Sequence, residues 1–252
     1  MNIGVFVKLV PATSADIRVS PAGDRIELTG LETTIGPYDE FALEEGLKLK
    51  DKIPGSRIIA FTAGGDEGIK VLQHAFSLGV DEGWLLKGFN DPAAAGAAAA
   101  KAAGIEIAFC GRQAVDDDMA SFHAALGEAL GWPHVSSIVA FEISGDRKTA
   151  TAKRRVEGGE ETWEVRLPAV FSCDKGLNVP RLATLKGRMA ARKMQPKVVG
   201  PAELGADAGT AGLKAVKFRT PPARGQGRIL EGEKDQVVRE LVRILREERK
   251  VI

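Results

Sequence analysis

Residues 57–88 read RIIAFTAGGDEGIKVLQHAFSLGVDEGWLLKG, and this stretch decides the fold. A short apolar run ends in two glycines, a segment with helical spacing follows and ends at Gly79, and a second apolar run begins at Glu82. Apolar runs of this length favour buried strands, and the intervening period favours an amphipathic helix. The stretch therefore predicts two parallel strands joined by a helix that covers the sheet.

The same alternation continues on both sides of this stretch. A buried strand is predicted at 2–10 and another at 105–111, with helices at 36–55 and 91–104. A further helix is predicted to begin with the aspartates at 116–118 and to stop at Gly131-Trp132-Pro133. Repeated strand–helix units are typical of a mostly parallel sheet flanked by helices. The fold class predicted here is therefore α/β.

Two segments depart from this alternation. Residues 18–34 alternate around a Pro-Ala-Gly-Asp turn, which predicts a hairpin-like excursion. Residues 135–173 alternate around Gly145-Asp146 and Gly158-Gly159, which predicts an antiparallel extension with two tight turns. Residues 1–195 are predicted to form one α/β nucleotide-binding domain.

The remaining residues, 196–252, are predicted to form an extended arm. They are rich in Pro, Gly and Ala and show little periodicity before a final helix at 232–249. Val237, Val238, Leu241, Val242 and Leu245 give this helix an apolar stripe that must be buried somewhere. A partner chain is favoured over a flexible tail.

Composition excludes several classes of protein. The chain has 252 residues, of which 44% are hydrophobic, and a formal net charge of +1, so no global field favours nucleic acid. No apolar segment is long enough for a transmembrane helix, and a strand-like segment rather than a signal peptide opens the chain. The two cysteines, Cys110 and Cys173, end apolar runs and suit the core of a protein from a reducing compartment, such as a bacterial cytoplasm.

No catalytic or metal-binding constellation is predicted. Of the three histidines, His74 and His123 lie in helical patterns without a carboxylate or cysteine at ligand spacing. A surface or core role is favoured for both. The chain also lacks the phosphate-binding and nucleophile motifs of the common enzyme classes.

The strand-to-helix junctions instead indicate a nucleotide site made largely of backbone, because ligands of open α/β sheets bind beyond the carboxyl ends of strands. The candidates are TAGGDEG at 62–68, GRQAVDDDMAS at 111–121 and IGPYDE at 35–40. Pro37 and Tyr38 could wall off an adenine. The three aspartates at 116–118 could hold a ribose or a purine amine, or could simply cap a helix.

The segment LNVPRLATLKGRMAARK, residues 177–193, places leucines among positive charges. One interpretation is that Leu182, Leu185 and Met189 are core positions of a short helix, which is the favoured reading of their spacing alone. The other is an apolar anchor within a charged rim, as in small transient interfaces.

Taken in order, several pieces resemble the β subunit of electron transfer flavoproteins. They are VFVKLV at 5–10, GPYDEFALEEGLKLK at 36–50, GRQAVDDD at 111–118, RRVEGGEETWEVRLPAV at 154–170 and the segment at 177–193. The resemblance covers nearly the whole chain, and the ordered set is highly specific. It implies an adenine-nucleotide α-hydrolase-like sheet and a heterodimer in which the arm, 196–252, packs on an α subunit.

The resemblance also implies cofactors. The redox-active FAD would lie mainly in the α subunit, and this chain would bury one structural AMP that does no chemistry; members that bifurcate electrons hold a second FAD instead. The matching positions for the AMP are Phe6, Gly36, Pro37, Tyr38, Asp39, Ala63, Asp116, Asp117, Asp118, Met119, Ala120 and Ser121. The chain departs from the family where Phe122 and His123 replace the usual Thr and Gly. Ser121 and backbone N–H groups could still hold the phosphate, and His123 could add charge.

For residues 177–193 the resemblance implies a loop that docks onto an acyl-CoA dehydrogenase. Leu185 matches the anchor, Leu182 is expected to pack, and the surrounding partner-binding residues are Arg181, Lys186, Arg188 and Met189. Electrons would pass on to a quinone-linked oxidoreductase, and this chain would catalyse no bond chemistry itself. The alternative from another class is a stand-alone adenine-nucleotide-binding enzyme or stress-type protein.

Overall fold

The computed structural model describes residues 1–27, 30–210, 216–222 and 227–252. Residues 28–29 of the predicted hairpin lie outside the described residues. So do residues 211–215 and 223–226 of the predicted arm.

The strands and helices follow the predicted alternation through the first half of the chain. The strands are β1 (Asn2–Phe6), β2 (Leu9–Pro11), β3 (Thr33–Ile35), β4 (Arg57–Ala63), β5 (Glu82–Leu86), β6 (Ile107–Gly111), β7 (His134–Ile143), β8 (Thr149–Val156), β9 (Gly159–Arg166), β10 (Ala169–Cys173) and β11 (Lys197–Val199). The helices are α1 (Pro37–Lys52), α2 (Ile69–Leu78), α3 (Pro92–Ala102), α4 (Phe122–Leu130), α5 (Leu185–Ala191), α6 (Pro201–Leu204) and α7 (Lys234–Arg243).

Nine of the strands form one sheet in the order β11-β5-β4-β1-β6-β10-β7-β8-β9. Every pairing from β11 to β7 is parallel, and β8 and β9 continue the sheet as antiparallel strands. A separate antiparallel pair joins β2 to β3. The predicted α/β class, with a mostly parallel sheet and an antiparallel extension, is confirmed.

The sheet has a hydrophobic layer on each face. Alternate residues of β1 point to opposite sides, so Ile3 and Val5 join the layer under α1 and α2, whereas Phe6 joins the layer with α3 and α4. Phe61 and Phe109 are fully buried, one in each layer. Burying a side chain of this size stabilises the fold by roughly 1.5–3 kcal/mol.

Three predictions about local structure are corrected. Strand β10 is parallel and lies between β6 and β7, although its sequence directly follows the antiparallel hairpins. Strand β11 pairs with β5, so the sheet continues beyond residue 195, where the arm was predicted to begin. Helix α4 begins only at Phe122, so the aspartates at 116–118 precede it rather than form its first turn.

The excursion at 18–34 is held together only in part by strand pairing. Val19 and Ile26 form an isolated antiparallel bridge, and β3 pairs with β2 rather than with the segment around Val19. The final helix is α7, and it continues as a π-helical turn at Ile244–Glu248.

Candidate functional site

A cavity lies at the carboxyl end of the sheet, at the point where the strand order reverses. Along the chain β1 is followed by β4 and β5 on one side of it, and β6 then occupies the other side. Open α/β sheets bind ligands in the crevice that such a reversal creates. The cavity has a volume of about 400 Å³, near the lower end of the range of roughly 300–1,000 Å³ for ligand pockets. We call it the switch-point cavity.

Seven of the twelve residues predicted for the nucleotide line this cavity. They are Phe6, Asp39, Ala63, Asp117, Met119, Ala120 and Ser121. They come from the ends of β1 and β4, the start of α1, and the loop between β6 and α4. The fold therefore brings together segments that are far apart in sequence.

The other five predicted residues do not line the cavity. The N–H group of Gly36 donates to the carbonyl of Lys8. Pro37 and Tyr38 form the first turn of α1, and the Tyr38 ring lies 5.8 Å from the Arg112 guanidinium. Asp116 and Asp118 are engaged by neighbouring side chains of the cavity rim.

Asp39 connects the two strands that flank the reversal. Its Oδ2 accepts a hydrogen bond from the N–H of Lys8, just after β1, at 2.8 Å, and its Oδ1 accepts one from the N–H of Gly111, at the end of β6, at 3.0 Å. A Cβ at Gly111 would overlap Asp39 Oδ1 and the adjoining backbone. Burial raises the pKa of Asp39 to about 7, although both N–H donors act to lower it. The carboxyl group thus holds the cavity floor together.

Lys8 and the aspartates form one side of the cavity rim. Lys8 Nζ donates to Asp116 Oδ1 at 2.8 Å and to Asp117 Oδ2 at 3.0 Å. Burial lowers the pKa of Lys8, but the hydrogen bonds to both carboxylates raise it further, so the net shift is upward. Ser121 precedes α4 without capping it through its side chain, and Gln113 donates to Asp118 at 2.8 Å. Because Ser121 occupies the N-cap position of α4, none of the three aspartates caps this helix.

The backbone of the same loop is strained. Asp118 and Ala120 have φ angles of 51° and 49°. Such left-handed conformations are uncommon for residues other than glycine. They persist only where the surrounding structure holds them, and they are concentrated at active sites and ligand sites. Ala120 is followed by Ser121 in the right-handed region. Neighbouring residues of opposite hand can align successive N–H groups into an anion-binding concavity.

An aromatic wall closes part of the switch-point cavity. Phe6 stacks on Phe61 with ring centroids 5.0 Å apart, and the ring centroids of Phe122 and Phe6 are 5.5 Å apart. His123 does not line the cavity; its ring lies 5.7 Å from His134. Burial, His134 and Arg154 lower the pKa of His123 to about 4. His123 is therefore neutral at pH 7, and the expectation that it adds charge for a phosphate is wrong.

Sequence reasoning missed the polar residues that follow β5, and it named the segment after β6 without assigning a role to its first polar residues. Asn90, Asp91, Arg112 and Gln113 also line the cavity. Asn90 is fixed by the arm, because its N–H donates to the carbonyl of Ala208 at 2.7 Å. The segment after β5 ends a strand adjacent to β4, so the rule about strand carboxyl ends could have identified it.

The segment at 177–193 lies outside the cavity, beside α1 and α2. We call residues 177–193 the docking loop, after the role that the sequence analysis predicts for them. Leu185 opens α5 and is 77% exposed, and Leu182 is 90% exposed. The expectation that Leu182 packs within this chain is therefore wrong. Lys186, Arg188 and Met189 are also exposed, whereas Arg181 is bonded to Glu44 and Asp51 of α1.

Residues 1–27, 30–210, 216–222 and 227–252 contain neither a candidate metal-binding cluster nor a helix able to span a membrane. Within these ranges no group of three or more His, Cys, Asp or Glu side chains is placed to hold a metal ion. In the same ranges no helix is long and apolar enough to cross a bilayer. Cys110 and Cys173 are buried and free, and burial raises the pKa of both thiols.

Comparison with known proteins agrees with this architecture. Residues 25–204 match the family model described as the electron transfer flavoprotein domain. The electron transfer flavoprotein subunit beta of Syntrophomonas wolfei is 34% identical over 240 residues, which cover 92% of each chain. The protein of the same name from Homo sapiens is 30% identical over 248 residues, which cover 95% of this chain and 96% of the human one.

A third relative carries a different name. The caffeyl-CoA reductase-Etf complex subunit CarD of Acetobacterium woodii is 32% identical over 248 residues, 92% of each chain. The matches extend over nearly all of this sequence and of its relatives, and the identities exceed what fold similarity alone requires. The chain therefore belongs to the electron transfer flavoprotein β-subunit family, whose members act in electron transfer.

Proposed function

We propose that this chain is the β subunit of a heterodimer that accepts electrons from a flavin-dependent acyl-CoA dehydrogenase and delivers them to a quinone-linked oxidoreductase. The α subunit holds the redox-active FAD, and this chain supplies the surface that meets the dehydrogenase. The observation that carries the proposal is Leu185, an apolar side chain 77% exposed at the start of α5 and followed by Lys186 and Arg188. The buried, free cysteines suit a reducing compartment such as a bacterial cytoplasm.

The switch-point cavity suits one AMP with a structural role. Its apolar wall of Phe6, Phe61 and Phe122 fits an adenine, and the strained turn at Ala120 with Ser121 fits a phosphate. Asp117 is a candidate acceptor for a ribose hydroxyl. No nucleophile is needed for this role, because the nucleotide would only fill the cavity and accept hydrogen bonds from the N–H groups of the strained loop.

A second FAD in the cavity, as in an electron-bifurcating flavoprotein, is the other candidate. The similarity to subunit CarD of the caffeyl-CoA reductase-Etf complex favours it. The volume of about 400 Å³ argues for the smaller ligand, because a dinucleotide must accommodate a second, larger ring system. Phe122 further narrows the cavity, because its ring packs against Phe6 with the two ring centroids 5.5 Å apart.

Replacing the anchor tests the docking role. In Leu185→Ala we expect the KM of the purified heterodimer for an acyl-CoA dehydrogenase to rise at least about tenfold, since a central apolar anchor is worth roughly 2 kcal/mol or more. The flavin content should stay unchanged, because Leu185 contacts no part of the cavity. Both are measured on the same preparation, the first by flavin reduction kinetics and the second by absorbance.

The matched control is Val198→Ala on strand β11, where Val198 is 53% exposed. This variant also removes exposed apolar surface, but from the edge strand of the sheet rather than from the docking loop, and its KM should equal that of the wild type. Leu182→Ala and Met189→Ala determine whether either side chain shares the anchoring role. An unchanged KM in Leu185→Ala would show that the docking proposal is wrong.

A further inference from the structure

The docking loop is fastened to α1 by two side chains that point inward. Asn178 Nδ2 donates to the carbonyl of Phe41 at 2.9 Å and to Glu45 Oε2 at 2.8 Å. Arg181 donates from its backbone N and from Nε to Glu44 Oε2, at 3.0 and 2.8 Å, and from Nη2 to Glu44 Oε1 at 3.0 Å. The Arg181–Glu44 contact is thus a forked, charge-assisted pair, the strong class of side-chain hydrogen bond.

The two acceptors are unusual because they are buried carboxylates. Glu44 is 7% exposed and Glu45 is 4% exposed. A buried carboxylate is unfavourable unless it is paired and hydrogen-bonded, so Glu44 requires its partner on the loop. Glu45 also accepts from Lys48 at 3.0 Å, whereas the paired cation of Glu44 is Arg181. Water competes poorly for such acceptors, which makes these bonds more persistent than surface ion pairs.

The other end of the docking loop is fixed against α2. A Cβ at Gly187 would overlap the backbone carbonyl of Ser77, so α5 approaches α2 closely there. Thr184 caps α5 by accepting from the N–H of Gly187 at 3.0 Å. Between the two fixed points lie Leu182 and Leu185, which packing within the described chain does not hold.

We propose that Arg181 and Glu44, assisted by Asn178 and Glu45, are positioning residues that hold the docking loop in its binding conformation before a partner arrives. Arg181 was expected to bind the partner directly, as part of the charged rim. Its guanidinium instead donates to Glu44 and Asp51 of α1. Arg181 therefore contributes to partner affinity by holding the loop that carries Leu185 in place. Ordering a loop in advance removes that entropic cost from the binding step. The inference rests on the proposed docking function.

The test uses the purified heterodimer and two readouts. In Arg181→Gln and in Glu44→Gln we expect hydrogen exchange of the amides at 182–190 to accelerate at least about tenfold, because the loop opens more often. The KM for the dehydrogenase should rise about five- to tenfold while kcat stays unchanged, since the electron path is intact once docking has occurred. The double variant should match Arg181→Gln, because that change already removes the pair with Glu44 together with the bond from Arg181 to Asp51.

The charge-matched control is Lys193→Gln, which removes an exposed cation just after α5 that is not among the predicted partner-binding residues. It should leave exchange at 182–190 unchanged and raise KM only at low ionic strength. Should Arg181→Gln fail to fold, Asn178→Ala tests the same claim at the second contact without a charge change, and the same changes in exchange and KM are expected.

The outcomes separate this inference from the proposed function. If Leu185→Ala raises KM but Arg181→Gln and Asn178→Ala leave both exchange and KM unchanged, the positioning role is wrong and the docking role stands. If exchange accelerates without any rise in KM, the loop is held for another reason and the inference is again wrong. If Leu185→Ala leaves KM unchanged, the docking role is wrong, and positioning for it is wrong as well.

Discussion

Asp39 shows what a single residue contributes that the sequence could not reveal. Its place in the first turn of α1 predicts a carboxylate that suits the helix dipole, and the family resemblance adds a cofactor role. In the structure both its oxygens accept backbone N–H groups, from residues 31 and 72 positions away. These two N–H groups come together only because β1 and β6 are neighbours in the sheet, and no local sequence pattern encodes that pairing. Asp39 lines the cavity but first supports its floor.

The burial of Asp39 predicts a pH dependence of stability. Burial raises the pKa of Asp39 from 3.8 in the unfolded chain to about 7 in the folded one, so the folded state binds the proton more tightly. Stability from this group is therefore fully present at low pH and is lost as the pH rises from about 4 through 7. The total change is at most about 4 kcal/mol.

We expect the difference in unfolding free energy between wild type and Asp39→Asn to fall, in the direction that disfavours the wild type, as the pH rises from 5 to 8. Urea unfolding at several pH values measures it. The matched control is Asp16→Asn, because Asp16 is an exposed carboxylate. If the Asp39→Asn difference is independent of pH, the carboxyl does not hold its proton in the folded state at these pH values.

At the scale of elements, the strand–helix alternation of the first half was predictable because each period is local. Helix α3 illustrates this: Asp91 accepts from the N–H of Ala93 at 2.8 Å and Pro92 begins the helix. The position of β10 between β6 and β7 was not predictable, because the same apolar run suits a parallel or an antiparallel neighbour. The late start of α4 was also missed, since the strained turn at Asp118 and Ala120 leaves no sign in composition.

The start of α4 carries a prediction about nucleotide content. Phe122 lines the cavity with its ring centroid 5.5 Å from that of Phe6, and the cavity has a volume of about 400 Å³. We expect denaturation of the purified heterodimer to release one AMP and one FAD. In Phe122→Trp the AMP content should drop by at least half, because the larger ring would occupy more of the cavity. Mass spectrometry of the released nucleotides measures both.

The control for this prediction is Trp163→Phe on β9, where Trp163 is 48% exposed and lies outside the cavity wall. This variant changes an aromatic side chain of similar size and should keep the wild-type nucleotide content. Release of two FAD molecules would instead support the bifurcating form. Absence of any second nucleotide would show that this chain has lost the site.

For the whole molecule, composition and periodicity predicted an α/β sheet but not its strand order or the close approach of the docking loop to α1. The strand order depends on which strands pair along their edges in the folded chain. The position of the docking loop depends on Glu44 and Glu45, which resemble ordinary surface residues of a helix in the sequence. Their burial appears only when Asn178 and Arg181 lie over them. The partner proteins stay a prediction from the ordered family motifs, because an interface is completed by another chain.

The arm gives the last prediction, at the scale of the assembled protein. Its final helix has Val238 and Leu241 52% and 46% exposed, and none of its residues is buried within the part of the chain that the structure describes. An apolar stripe left exposed in this way favours a partner surface. Deleting residues 230–252 should therefore abolish stable assembly with the α subunit, while the thermal midpoint of the isolated β chain falls by only a few degrees.

A point variant sharpens the test of the arm. Leu241→Asp should weaken assembly at least about tenfold, since it buries an unpaired charge in the contact. Gln236→Asp, on the polar side of the same helix, adds the same charge and should leave assembly unchanged. Size-exclusion chromatography of the mixed subunits at several concentrations measures both. Because neither residue is buried in the isolated chain, a loss of assembly confined to Leu241→Asp would reflect the partner contact rather than folding, and a stable heterodimer with this variant would refute the role of the arm.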